Sequence, residues 1–381
     1  MAIRLKVRRK KQIVVPIRFT RAVTGDPDPA APDVDDRGFV MGTRPGTWGS
    51  TAMRGAMVSV QEGDTIKVKV LREDIDATAP LFVVSTNSDM ASISGAAGPL
   101  GADGIFSLEG VKDSKNVPVK IEVHLGADDG PVLGELEPHI FQQRQLRVRA
   151  HLVSINPPAS GPDADSTTTQ TAAGLVALFV GVNKIWRAAG VEFLYNEDET
   201  RSMSISGFAV KGQVTTHLDA KPPTFAEFSR LLNFHDPVGG DRPDPNAINV
   251  YFVHLANEWL GLTFDHDEAR PSGFGVAIAD HTTGRTLASG PHELAHELGH
   301  YLDTDVHAGE NSERTHVRED LVSERRMMFD AAKVDLANPP YRQDVGYTQG
   351  RAGNLITVKE LAADPSDGEV ARNRFRALNP N

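Results

Sequence analysis

Residues 292–307 read HELAHELGHYLDTDVH and hold the densest grouping of chemistry-bearing side chains in the chain. Five of the 13 histidines fall between His292 and His316. The stretch contains two overlapping H-E-x-x-H patterns, His292–His296 and His296–His300. On an α-helix, residues four apart lie one turn from each other on one face. Two imidazoles so placed can bind one zinc ion, and the glutamate after the first can take a proton from a water that the metal activates. A lone H-E-x-x-H is a weak signal, since a solvated surface helix can carry one by chance. Two further features weigh against that bland reading. Leu294, Leu298 and Leu302 recur at four-residue spacing, a core-facing stripe beside the histidine face. His307 follows where a third ligand is needed.

The two copies are not equivalent. Proline is favoured at the first position of a helix, so the helix is expected to start at Pro291, after Ser289-Gly290. His292 then falls in the frayed first turn, and His296 and His300 in the ordered second and third turns. The expected ligands on the helix are therefore His296 and His300, with Glu297 as general base; His307, reached after the turn-forming Asp303-Thr304-Asp305, is the expected third. His292 is assigned a supporting or incidental role.

The motif resembles that of the metzincin clan of zinc metalloproteases, H-E-x-x-H-x-x-G-x-x-H followed by a methionine-containing turn. HELGHYLDTDVH differs at two places: Asp303 stands at the helix-ending glycine, and Val306 at the third histidine, with His307 one residue later. Aspartate tolerates the left-handed conformation better than most residues, so a helix stop near Asp303 is compatible with the pattern. Asp303 and Asp305 are alternative third ligands. In a second clan, the gluzincins, the third ligand is a later glutamate, and Glu319 and Glu324 are the residues that would serve. Met327 and Met328, about twenty residues past His307, match the methionine turn and favour the metzincin-like reading. Tyr341 and Tyr347 are candidates for the tyrosine some relatives add, though each also reads as a packing residue.

The resemblance implies a zinc-dependent endopeptidase of protein or peptide substrates. Zn2+ would be held by His296, His300 and His307, and Glu297 would act on a metal-activated water. Two other classes stay open: a metal-binding but inactive peptidase-like binding or structural protein, and a zinc amide hydrolase of cell-wall material.

Such a helix needs a scaffold, and the preceding sequence offers one. Leu146–Ile155 alternates and is rich in β-formers, as a strand is. Leu175, Leu178, Phe179, Val182, Ile185 and Trp186 have helical spacing, and Gly190 marks the stop. Val191–Tyr195 and Ile248–Val253 read as further strands. Phe274–Ala279 reads either as the cleft-bordering edge strand that metzincins pair with substrate backbone, or as a central strand.

With 381 residues and 40% hydrophobic content, two domains are expected. Residues 1–140 show β-patterned runs at Ile3–Val7, Gln12–Phe19, Thr65–Val70, Leu81–Val84 and Val117–His124, broken by Gly, Pro and Asp clusters. The expected class is α+β: an N-terminal all-β, sandwich-like domain, then a zinc peptidase domain over 141–381 with a mixed sheet and an active-site helix. The net charge of −11 argues against a general nucleic-acid binder. Arg4, Lys6, Arg8, Arg9, Lys10 and Lys11 run against that average. They read as a solvated strand face or as a docking surface for an acidic partner. No apolar region follows them, so no standard signal peptide is expected, and no stretch is long enough to span a membrane. Cysteine is absent, which leaves zinc sites of His and carboxylate. Location stays open between the cytoplasm and export by a dedicated secretion apparatus.

Overall fold

The structure is a computed structural model. It describes residues 17–21, 47–48, 51–52, 56–72, 75–94, 98–114, 117–156, 167–206, 231, 243–256, 261–264, 275–282 and 290–302. These residues are mainly β-sheet, with two α-helices among them. The chain divides into two compact units, one built largely from residues up to Ile140 and one from Phe141 onward.

The described residues up to Phe141 contain β1 (Ile17–Arg21), β2 (Thr47–Trp48), β3 (Thr51–Ala52), β4 (Ala56–Gln61), β5 (Thr65–Arg72), β6 (Leu81–Ser85), β7 (Ala91–Ser94), β8 (Ile105–Gly110), β9 (Ile121–Leu125) and β10 (Val132–Phe141). They form two four-stranded sheets, ordered β1-β5-β8-β7 and β4-β10-β9-β6, plus the short β2–β3 pair. Alternation drives the arrangement, because successive strand residues point to opposite faces. Ile66, Val68 and Val70 of β5 and Phe106 and Leu108 of β8 are buried, while Thr65 and Lys67 on either side of Ile66 are exposed. At Gly134 on β10, an added Cβ would stand 2.9 Å from the side chain of Ile17 on β1, so a glycine lets the two sheets approach there.

The run Val117–His124 was expected to be one strand, but β9 begins only at Ile121. Pro118 has no N–H to give a ladder, and the Lys120 N–H is taken instead by Thr86 Oγ1 at 2.9 Å. Of Gln12–Phe19, only the residues from Ile17 are described, and Ile3–Val7 lies outside the described residues. Strand β10 has no counterpart among the sequence-predicted strands, because Gly134 and Pro138 interrupt its pattern.

The second unit contains β11 (Arg144–Asn156), α1 (Ala172–Trp186), β12 (Val191–Tyr195), β13 (Arg201–Ser206), β14 (Ile248–Ala256), β15 (Gly261–Phe264), β16 (Gly275–Thr282) and α2 (Pro291–Tyr301). One mixed sheet runs β12-β11-β14-β16-β15. The 13-residue β11 pairs in parallel with β12 along its first half and with β13 along its second. β14 is parallel to both β11 and β16, and β15 closes the order as an antiparallel strand on β16. Of the expected run Phe274–Ala279, the described residues from Gly275 lie in a central strand with a neighbour on each side. Among the described strands, β15 ends the sheet on this side, and β12 and β13 end it on the other.

Helix α1 is capped by Thr171, whose hydroxyl accepts the Gly174 N–H at 3.0 Å. Its apolar stripe of Leu175, Phe179, Val182, Ile185 and Trp186 is buried. A short 3-10 turn then ends at Gly190, whose φ of 84° is the left-handed conformation that favours glycine. Asn183 ties the helix to β12, accepting the Phe193 N–H at 2.8 Å and donating to its carbonyl at 2.9 Å. Asp280 on β16 accepts from Thr168 Oγ1 at 2.9 Å and from the Thr169 N–H, anchoring the chain just before α1.

Both helices bury their stripes against the same sheet face. Leu294, Ala295, Leu298, Tyr301 and Leu302 of α2 and its end join the α1 stripe, Val148, Ala150, Phe193, Val250, Phe252, Val276 and Ile278 in one core. Trp186 is fully buried, and its indole N–H donates to the Ala295 carbonyl at 3.0 Å. Gly181 sets the closeness of the helices, since a Cβ there would lie 2.5 Å from Pro291 Cγ. Gly181→Ala should therefore destabilise the protein by about 1–3 kcal/mol, although alanine is the better helix former. Denaturant unfolding checks this: a variant as stable as wild type would show that the α2 start yields freely.

Candidate metal centre

Helix α2 begins at Pro291, with Gly290 as its extended N-cap. The Gly290 N–H donates to Glu293 Oε2 at 2.7 Å. This is the carboxylate half of a capping box, in which the third helical residue reaches back to the cap. Glu293, the glutamate of the first H-E-x-x-H copy, is thus engaged in starting the helix. Burial pushes its carboxyl pKa up, opposed by the backbone N–H bonds of Gly290 and of Glu293 itself. His292 lies in the first helical turn.

One turn further on, His296 and His300 converge. Their Nε2 atoms are 3.0 Å apart, and the rings meet edge to face with centroids 4.6 Å apart. Both side chains are half-buried. Two nitrogens bound at ~2.0–2.1 Å to one tetrahedral zinc stand roughly 3.3 Å apart. The observed pair is close to that separation, so the spacing is compatible with a shared cation, and it is also a hydrogen-bonding distance between the rings.

Glu297 projects from the same helix and is buried, at 9% exposure. It is held by β15. Thr263 Oγ1 lies 2.7 Å from Glu297 Oε2 and 2.9 Å from the Glu297 carbonyl oxygen. Gly261 leaves the space the carboxyl occupies, for a Cβ there would fall 2.5 Å from Oε1. Burial raises the Glu297 carboxyl above its ordinary pKa, and the charge of His300 and the Thr263 hydrogen bond act the other way.

The structure thus brings together His296 and His300, while Glu297 of the same helix is seated against β15. Among the described residues no group of three or more His, Cys, Asp or Glu converges on one point. His307, Asp303, Asp305, Glu319, Glu324, Met327, Met328, Tyr341 and Tyr347 lie outside the described residues. Sequence reasoning missed Gly261 and Thr263. The signal available was the short Gly-Leu-Thr-Phe run with two β-formers, too brief to stand out beside the longer apolar strands.

No family model matches this chain, and no curated protein matches it. Among solved structures, a similar chain is the crystal structure of the S-layer protein SbsC domains 4 and 5, at 19% identity and a TM-score of 0.16. The match covers 22% of this chain and 46% of that one, so it spans less than half of the S-layer chain. Similarity this low carries no argument about fold or function. Among the described residues no helix is long and apolar enough to cross a membrane.

Proposed function

We propose that this protein is a zinc-dependent endopeptidase, with a metzincin-like peptidase domain over 141–381 and an all-β accessory domain over 1–140. The observation that carries the reading is the pair of Nε2 atoms 3.0 Å apart on α2, with the buried carboxylate of Glu297 between them in sequence. Glu293 is engaged at the helix cap, which supports His296–His300 as the working copy of the motif. His296 and His300 would hold the zinc, with His307 as the proposed third ligand. Zinc, when bound, supplies Lewis-acid polarisation of the scissile carbonyl and acidifies water towards a pKa of about 7. Glu297 takes the proton of the attacking water and delivers it to the leaving amine. The substrate backbone is proposed to align along β15, the edge strand beside α2, because edge pairing binds a chain with little demand on its sequence.

The test is metal content together with substrate choice. The purified protein should carry about one zinc per chain, as a site with an open coordination position does. It should degrade denatured casein, and a chelator should stop it. Absence of metal even after reconstitution with zinc overturns the reading. Chelator-sensitive release of peptide from peptidoglycan with intact casein would instead place the protein among cell-wall amide hydrolases.

A further inference from the structure

We infer that Thr263 and Gly261 are positioning residues for Glu297, so that the sheet-edge strand β15, and not α2 alone, sets where the base sits. The inference rests on the reading of Glu297 as general base. Strand alternation places residues 261 and 263 on one face of β15 and Leu262 on the other. Leu262 packs on the core of the opposite sheet face, with Val253, Ala277 and Ala279 among its members. Gly261 and Thr263 therefore face α2. Their position along the strand is held by antiparallel pairing, Gly261 with Ile278 and Thr263 with Val276.

The two residues constrain Glu297 in different ways. The Thr263 hydroxyl reaches two acceptors of the same residue, Oε2 at 2.7 Å and the carbonyl oxygen at 2.9 Å. It has one proton to donate, and either bond keeps the carboxyl folded back along the helix towards β15. A glutamate side chain has three rotatable bonds, and a base that must meet one water proton gains from losing that freedom before the reaction. Gly261 supplies the room: a Cβ would lie 2.3 Å from Glu297 Cγ and 2.6 Å from Cδ, so any side chain at 261 expels the carboxyl from this seat. Threonine suits 263 because its branched Cβ fits a strand while its hydroxyl donates.

Thr263→Val keeps the shape and removes the donor. With zinc-loaded protein and a peptide substrate, it should lower kcat about 10- to 100-fold, with KM within about threefold and zinc stoichiometry intact. Thr263→Ser should restore kcat to within about threefold of wild type. Gly261→Ala should lower kcat like Thr263→Val, again without loss of zinc. A readout independent of activity is a double-mutant cycle on the metal-free protein, pairing Thr263→Val with Glu297→Ala in equilibrium unfolding. The coupling should reach about tenfold in the unfolding constant. If Thr263→Val does not fold, Thr263→Ala takes its place in both measurements. Unchanged kcat in the valine variant, no rescue by serine, or additive unfolding each overturns the inference. If wild type binds zinc yet cleaves nothing, the endopeptidase reading fails. The cycle alone then decides the clamp: coupling retains it and additivity removes it.

Discussion

Glu297→Gln is expected to lose about two to four orders of magnitude in peptide hydrolysis while keeping fold and zinc, the range general acid–base catalysis commonly contributes. Glutamine has the same shape, so it fits the space left by Gly261. Its amide can still bond Thr263, which lies 2.7 Å from Oε2 in the wild type. What it lacks is a site that takes up a proton. His296 and His300 are untouched, so metal content should stay near wild type. The control is Glu293→Gln. Glutamine also closes a capping box, so this variant should lose less than about 1 kcal/mol of stability and keep its activity. Steady-state kinetics and elemental analysis on both variants decide the matter. An active Glu297→Gln beside a dead Glu293→Gln would move the site to the first copy, His292–His296.

The second large effect concerns the ligands. His296→Ala or His300→Ala should each weaken zinc by more than about 100-fold, beyond the 10–100-fold typical of residues that only support a ligand. The argument is the 3.0 Å approach of the two Nε2 atoms: removing either ring would leave a single nitrogen to face the proposed zinc. Neither change should unfold the protein, because both rings are half-buried and the helix is held by Leu294, Ala295 and Leu298 on its other side. The third ligand is read from the same titration. The sequence motif proposes His307, so His307→Ala should weaken zinc far more than Asp305→Ala or Glu324→Ala. Loss of zinc in Glu324→Ala with retention in His307→Ala would point to the gluzincin-like arrangement. Zinc affinity for all five variants, measured by competition with a chelating dye, separates these outcomes.

The parts of the second unit legible in the sequence are those with strong local signals. The 3.6-residue spacing of Leu175 to Trp186 and the glycine at 190 mark α1 because one buried stripe and one left-handed stop are local requirements. Pro291 marks the start of α2 for the same kind of reason. The i, i+4 spacing of His296 and His300 dictates their approach as soon as the segment is helical, with no help from the rest of the chain. Strand partners are another matter. A run such as Phe274–Ala279 has one composition whether it ends a sheet or lies inside it, since both faces are covered in either case. Only the assembled sheet makes β16 central and, among the described strands, puts the four residues of β15 at one end of the order.

The setting of Glu297 is likewise decided in three dimensions. Thr263 and Glu297 are 34 positions apart, and nothing in either local sequence links them. The bond exists because β15 is antiparallel to β16 and turns residues 261 and 263 towards α2. The roles of the two glutamates divide between a local contact and a remote one. H-E-x-x-H occurs twice in overlap, and the pattern is satisfied equally by Glu293 and Glu297. The sequence by itself determined the helix, its histidine face and the chemistry those side chains can perform, because these depend on residue type and on a fixed helical repeat. Tertiary structure alone decided that Glu297 is seated against β15, because its hydrogen-bond partner Thr263 comes from a segment remote in the chain, whereas the Glu293 cap is a contact three residues back that follows once the helix starts at Pro291.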